Sequence, residues 1–215
     1  MNAFQYLARN WPEVSAKIVQ HLGMVGIAVA VSLLVGLVLG IVVSRPGLQK
    51  VGRVIISVTG VAQAIPSVAV IALMFVYTGI GPRTAIIALS IYGVVPILFN
   101  VSSALLLVPS DMREAAGGMG MTPLQVLMRV ELPLASQSIM AGLRTTVTID
   151  VSTATVASVV GAGGLGDIIF VGLSVVRPDM IIAGTLLVAS IAILSDVLLS
   201  LLQKSVVSRG LSIPS

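Results

Sequence analysis

The chain has 215 residues, of which 57% are hydrophobic and 9% charged, with a mean hydropathy of +1.12. Soluble domains carry roughly a quarter charged residues, so these side chains cannot cover a water-facing globule and a soluble enzyme is nearly excluded. The absence of cysteine removes a disulfide scaffold, a thiolate metal site and a cysteine nucleophile, and the net charge of +4, set between apolar runs, reads as membrane topology rather than nucleic-acid binding.

A helix rises about 1.5 Å per residue, so roughly 20 apolar residues cross the hydrocarbon core. Leu22 to Val43 is the first such run, with Gly23, Gly26, Gly36 and Gly40 as close-packing points and an end at Ser44-Arg45-Pro46-Gly47. The second, Val54 to Tyr77, is interrupted by Pro66 inside Gln63-Ala64-Ile65-Pro66-Ser67, and the third, Thr84 to Val108, carries Pro96. Proline frees a carbonyl and bends the axis, so Pro66 and Pro96 are expected to shape helix packing or a gate. A hydrophilic loop, Pro109 to Pro133, precedes the fourth span, Leu134 to Val160, and Ile181 to Leu202 is the fifth. The expected fold is an all-α membrane protein of about five transmembrane helices, one domain over 1–215, seated in a lipid bilayer. Mixed charge before Leu22 and the length of the run after it fit a cleaved signal peptide poorly.

Positive charge sets the expected orientation. Arg45, Lys50, Arg53, Arg113, Arg129, Lys204 and Arg209 fall on one side, Arg9, Lys17, Arg83 and Arg177 on the other, and Arg144 inside a span. The bias puts the C-terminus in the cytoplasm and the N-terminus outside.

In the long loop, Ser110 or Asp111 is placed to cap a short helix carrying Arg113 and Glu114, glycines end it, and Thr122-Pro123 opens a second helix with Leu124, Leu127 and Met128 on one face. These features predict a helix-turn-helix lying at the membrane surface. Glu114-Ala115-Ala116, three residues, Gly120, nine residues, Val130, one residue and Leu132-Pro133 then resembles the EAA loop of ABC-importer permeases, with valine where isoleucine is usual. The resemblance implies a type I importer-like fold whose loop is a cytoplasmic coupling helix, with Glu114, Ala115, Ala116, Gly120, Leu132 and Pro133 engaging a separate ATPase. It also implies an extracytoplasmic substrate-binding protein and a second permease subunit, identical or a close paralogue, in a bacterial inner membrane. ATP and magnesium would belong to the ATPase; this chain, which contains no Gly-x-x-x-x-Gly-Lys-Ser/Thr loop, would bind no cofactor or metal and catalyse nothing itself.

Gly161-Ala162-Gly163-Gly164-Leu165-Gly166 matches Gly-x-Gly-x-x-Gly, but a membrane span precedes it and Leu186 stands twenty positions beyond Gly166, so a tight external turn opening a short helix from Asp167 to about Leu173 is expected instead of a nucleotide site. The fourth span is the most polar. At 100° per residue Thr145, Thr148, Ser152 and Thr155 share one stripe and Thr146, Asp150 and Thr153 another, which makes Thr146, Asp150 and Thr153 the candidate pathway residues. Asp150 lies about 240° from Arg144 round the helix, so its partner must be another helix, water or a passing cation unless it is protonated. Asp196, with Ser200 and Gln203 on one face of the fifth span, is expected in helix packing or a gate, and His21 at a membrane interface.

Further segments, Gln63-Ala64-Ile65-Pro66-Ser67, Tyr92-Gly93-Val94-Val95-Pro96-Ile97-Leu98, Gly118-Met119-Gly120-Met121-Thr122, Ile139-Met140-Ala141-Gly142-Leu143-Arg144-Thr145 and Gly163-Gly164-Leu165-Gly166-Asp167, resemble osmoprotectant uptake permeases, which implies glycine betaine, carnitine or choline as cargo. The departure from that branch is Asp150, where related chains carry apolar residues. Import of amino acids such as methionine, and ATPase-independent secondary transport, are the alternative readings.

Overall fold

The computed structural model describes residues 2–45, 47–62 and 64–206. Helices α1 (Ala3–Arg9), α2 (Trp11–Val43), α3 (Gln49–Ala62), α4 (Ser67–Thr78), α5 (Pro82–Leu106), α6 (Ser110–Gly118), α7 (Pro123–Val126), α8 (Leu132–Ala157), α9 (Leu165–Ser174) and α10 (Pro178–Val206) make up most of it. Among the described residues, α2, α5 and α10 are each long and apolar enough to cross a membrane, and the helix from Pro123 to Val160 qualifies together with α9, from which it bends by 53°.

Three of the expected runs sit inside longer helices. Helix α2 starts eleven positions before Leu22, because Pro12 is well placed in its first turn and nothing between Trp11 and Leu22 stops it. The second run differs: it is two helices, α3 and α4, parted before Ser67, and Pro66 at φ −58 and ψ 131 is extended rather than a kink in a continuous helix. Proline pushes the residue before it out of helical space, so the chain stops there. Gln63 and Arg209 lie outside the described residues. Pro96, by contrast, is buried inside an unbroken α5, whose Asn100 side chain donates to the Pro96 carbonyl at 2.8 Å.

Helices α2 and α5 run in the same direction and α8 runs against both. Small residues set their spacing, as expected where lipid gives no hydrophobic drive between helices and close van der Waals contact must hold them. A Cβ on Gly36 would come 2.9 Å from Ile97, and one on Gly40 2.7 Å from Val101, so α2 lies almost backbone-to-side-chain on α5. Ala28, Ala85, Ala88, Ala154 and Ala157 fill the middle of the three-helix contact with Met24, Leu89 and Val151. Around this core α1 and α9 pack at one end against the start of α10, through Tyr6, Leu165, Ile168 and Met180. Many large side chains of α10, including Ile193, Leu194, Leu198 and Leu201, remain exposed.

Candidate functional site

The loop between α5 and α8 is built by two different helix ends. Helix α6 follows Pro109 with no side-chain cap; Ser110 instead donates its hydroxyl to Asp111 at 3.2 Å, so the capping expected from either residue is not made. At its other end the Met121 amide donates to the Ala116 carbonyl at 3.2 Å and the Gly120 amide to Gly117 at 2.9 Å, with Gly120 at φ +83. That is a Schellman turn, and its left-handed position is one that only glycine takes without steric cost. Thr122 then caps α7 as its position predicts: the Gln125 amide donates to Thr122 Oγ1 at 3.4 Å, the Thr122 amide to Gln125 Oε1 at 2.8 Å, and Pro123 follows in the first turn.

Beyond α7 the expectation of a separate surface helix is corrected. The chain passes through a π-helical turn, Leu127–Glu131, straight into α8. Pro133 lacks an N–H and its ring crowds the carbonyl four residues back; the wider turn, in which the Leu132 amide donates to Leu127, lets the helix run through it. Leu124 and Met128 are exposed. Of the six candidate coupling residues, Glu114, Ala115, Gly120 and Pro133 are exposed, Leu132 is half-buried and Ala116 is buried.

Glu131, which no motif singles out, is the one buried charge of this loop, 2% exposed. Arg45 at the end of α2 approaches it at 2.8 Å and Arg113 of α6 at 3.5 Å. Each arginine also serves a helix C-terminus: Arg45 Nε donates to Ile41 at 3.1 Å, and an Arg113 nitrogen donates to Val108 at 2.6 Å. The sequence signal available was positional, three charges assigned to one membrane side, but nothing local pairs them.

The polar residues of the fourth span divide between two environments. Thr146 is fully buried and donates to the Gly93 carbonyl at 3.0 Å. Asp150 is also fully buried, and among the described residues neither of its oxygens has a hydrogen-bond partner. Gly93 of α5 is the reason it fits: an added Cβ would meet Ser32 Oγ at 2.6 Å, Thr146 at 2.9 Å and Asp150 Oδ2 at 3.1 Å. Thr153 instead borders a cavity of about 360 Å³ with Ser67, Tyr92, Pro96, Thr148, Ile149 and Ser152, of which Thr148 and Ser152 are exposed. Pro66 stands immediately before α4, at the break beside this cavity, where the Tyr92 hydroxyl donates to the Ile65 carbonyl at 3.2 Å.

Asp196 pairs with Arg144. Arg144 Nε and Nη2 donate to its two oxygens at 2.9 and 3.0 Å, and Nη1 donates to Gln203 at 3.2 Å, so α8 is forked onto α10. At the opposite end Gly161, Gly163 and Gly164 all have positive φ and make the expected tight turn, with α9 starting at Leu165, two residues earlier than expected. Gln20 of α2 reads that turn's backbone, donating to Ala162 at 3.2 Å and accepting from the Gly164 amide at 2.9 Å, and Lys17 pairs with Asp167. His21 is buried beneath Gly164. Among the described residues no three His, Asp or Glu side chains are grouped to hold a metal ion.

A profile described as the binding-protein-dependent transport system inner membrane component matches residues 25–209. The chain belongs to that family. It is 38% identical over 207 residues to the choline transport system permease protein OpuBB of Bacillus subtilis (strain 168), covering 96% of this chain and 94% of that protein. To the osmoprotectant import permease protein OsmW of Salmonella typhimurium it is 33% identical over 216 residues, covering 98% of this chain and all of the relative. Among solved structures, a chain of the MetNI methionine ABC transporter in an inward-facing conformation superposes with a TM-score of 0.77 at 25% identity, over 88% of this chain and 94% of that one. An amino acid ABC transporter chain gives 0.75 at 19% identity over 94% of this chain and 98% of that one, a likeness of fold alone. The fold is that of type I ABC-importer permeases.

Proposed function

We propose that this chain is the permease subunit of an ATP-driven importer for a small quaternary-ammonium osmoprotectant such as choline, glycine betaine or carnitine. The observation that carries the reading is identity of 33–38% along nearly the whole chain to permeases named for those cargoes. In this reading the spans are about 22–43, 54–77, 84–108, 134–160 and 181–202, the N-terminus is outside, and the loop 109–133 is cytoplasmic. Exposed Glu114, Ala115, Gly120 and Pro133 would meet a separate ATPase that binds ATP and magnesium, while Ala116 and Leu132 support them from behind.

The cavity bounded by Thr148, Ser152 and Thr153 is the stretch of pathway that this chain supplies, and Thr146 and Asp150 brace its rear wall against α5. Its exposed hydroxyls need a second permease, of the same or a closely related chain, to enclose them. An extracytoplasmic binding protein would deliver the cargo at the end formed by α1, α9 and the glycine turn. The likeness to the methionine transporter chain favours amino-acid import as the second reading.

Uptake of labelled choline, glycine betaine, carnitine and methionine, in cells lacking their own systems and supplied with the chain and its partner ATPase and binding protein, separates the two. Osmoprotectant uptake that stops when the ATPase is catalytically dead is the expected result. Uptake of methionine alone would replace the reading, and uptake that persists without ATP hydrolysis would end it.

A further inference from the structure

Helix α6 is nine residues long and nearly all exposed, so its hold on the rest of the protein is confined to a few contacts. Ala116 packs inward, and among the described residues Arg113 is its one charged tie to the body. A lever transmits force only through what it is fastened to. Arg113 reaches the last carbonyls of α5, Val108 at 2.6 Å and Leu105 at 3.4 Å, and the same guanidinium stands 3.5 Å from Glu131, at the entry to α8. Glu131 in turn stands 2.8 Å from Arg45, itself anchored on the Ile41 carbonyl and the Ser44 hydroxyl at the end of α2. The ends of three long helices and the exposed short one therefore converge on one carboxylate.

We infer that Glu131 is a positioning residue through which any displacement of α6 is passed to α2, α5 and α8 together. This rests on the importer reading, in which α6 is the part an ATPase moves. A buried acid between two arginines is a joint that packing alone would not select, since a well-packed apolar group is often as stable as an ion pair taken out of water. Two further features suit it to motion. Glu131 ends a π-helical turn, a local widening that recurs at functional sites. Its hold on the arginines is ionic, Arg45 at 2.8 Å and Arg113 at 3.5 Å, an attraction set by separation more than by angle. The three side chains, each arginine also bonded to a helix-end carbonyl, can thus stay paired while the helix ends they join shift together, which is what rigid-body transmission needs.

The test uses the complete complex, this chain with its ATPase and binding protein, reconstituted in liposomes, and reads cargo accumulated per ATP hydrolysed. Glu131→Gln keeps the shape and removes the charge; Arg45→Gln loosens α2 while leaving Arg113 on Glu131; Arg45→Lys keeps the charge. Both glutamine variants are expected to assemble and hydrolyse ATP while the cargo-to-ATP ratio falls about tenfold, a usual size for coupling between sites, with Arg45→Lys near the native ratio. An unchanged ratio in Glu131→Gln and Arg45→Gln overturns the inference. So does failure of both to assemble, which would make the cluster a folding element; if Glu131→Gln alone fails, Arg45→Gln decides. A native complex that hydrolyses ATP but accumulates no cargo overturns the importer reading first, and the inference with it.

Discussion

The two ends of the α2–α8 pair are closed by different physics. At the glycine-turn end the fit is made by backbone: three glycines at positive φ, one hydrogen bond donated and one accepted by a single glutamine, and a start of α9 so tight that a Cβ on Gly166 would lie 2.0 Å from the Thr155 carbonyl. At the loop end the closure is electrostatic, one buried acid between two arginines, while the surrounding segment is exposed. The first arrangement has little room to change shape. The second can shift while staying paired, and it adjoins the segment proposed to be pushed.

Substitutions sharpen this contrast, beginning with the largest effect expected. Gly166→Ala forces backbone apart at the rigid end, and its cost should approach about 3 kcal/mol, the upper part of the overpacking range, seen as a lower melting temperature in detergent. An unchanged melt would show that shape does not close that end. Gly120→Ala meets nothing within 4 Å and is strained only by its φ, so a cost of about 1–2 kcal/mol is expected in the same melt, together with weaker ATPase association.

Helix α9 offers the converse. It ends in a Schellman turn like that of α6, the Arg177 amide donating to Gly172 at 2.8 Å, yet Val176 occupies the left-handed position at φ 53. Val176→Gly should relieve that strain and raise stability by about 0.5–1 kcal/mol net of glycine's own entropy, and a destabilised protein would mean the exposed valine is held by a contact worth more. The smallest effect belongs to Lys17→Met. Its pair with Asp167 is about a quarter exposed on both sides, so a loss under about 1 kcal/mol is expected, measurable by comparing melts at low and high salt.

What the sequence made legible was local. Apolar run length located α5 and α10, the threonine-proline pair located α7, and the spacing from Glu114 to Pro133 located the loop, because each depends on residues a few positions apart. The break before Ser67 was signalled by Pro66, though whether a proline breaks a helix or rides inside it, as Pro96 does, is decided by neighbours in space. The pairings were not legible. Arg144 and Asp196 are 52 positions apart, and Glu131 meets one arginine from before it by 86 positions and another by 18, distances at which no periodicity speaks. Asp150 stood out by type, but its burial follows from the missing side chain of Gly93 on another helix.

The fork between Arg144 and Asp196 bears on how the chain is made. Arg144 precedes its acid by 52 residues, so at any stage when α8 is present without α10 the fourth span carries a cation whose acid partner is missing. The charge of α8 is therefore balanced only once α10 is in place beside it.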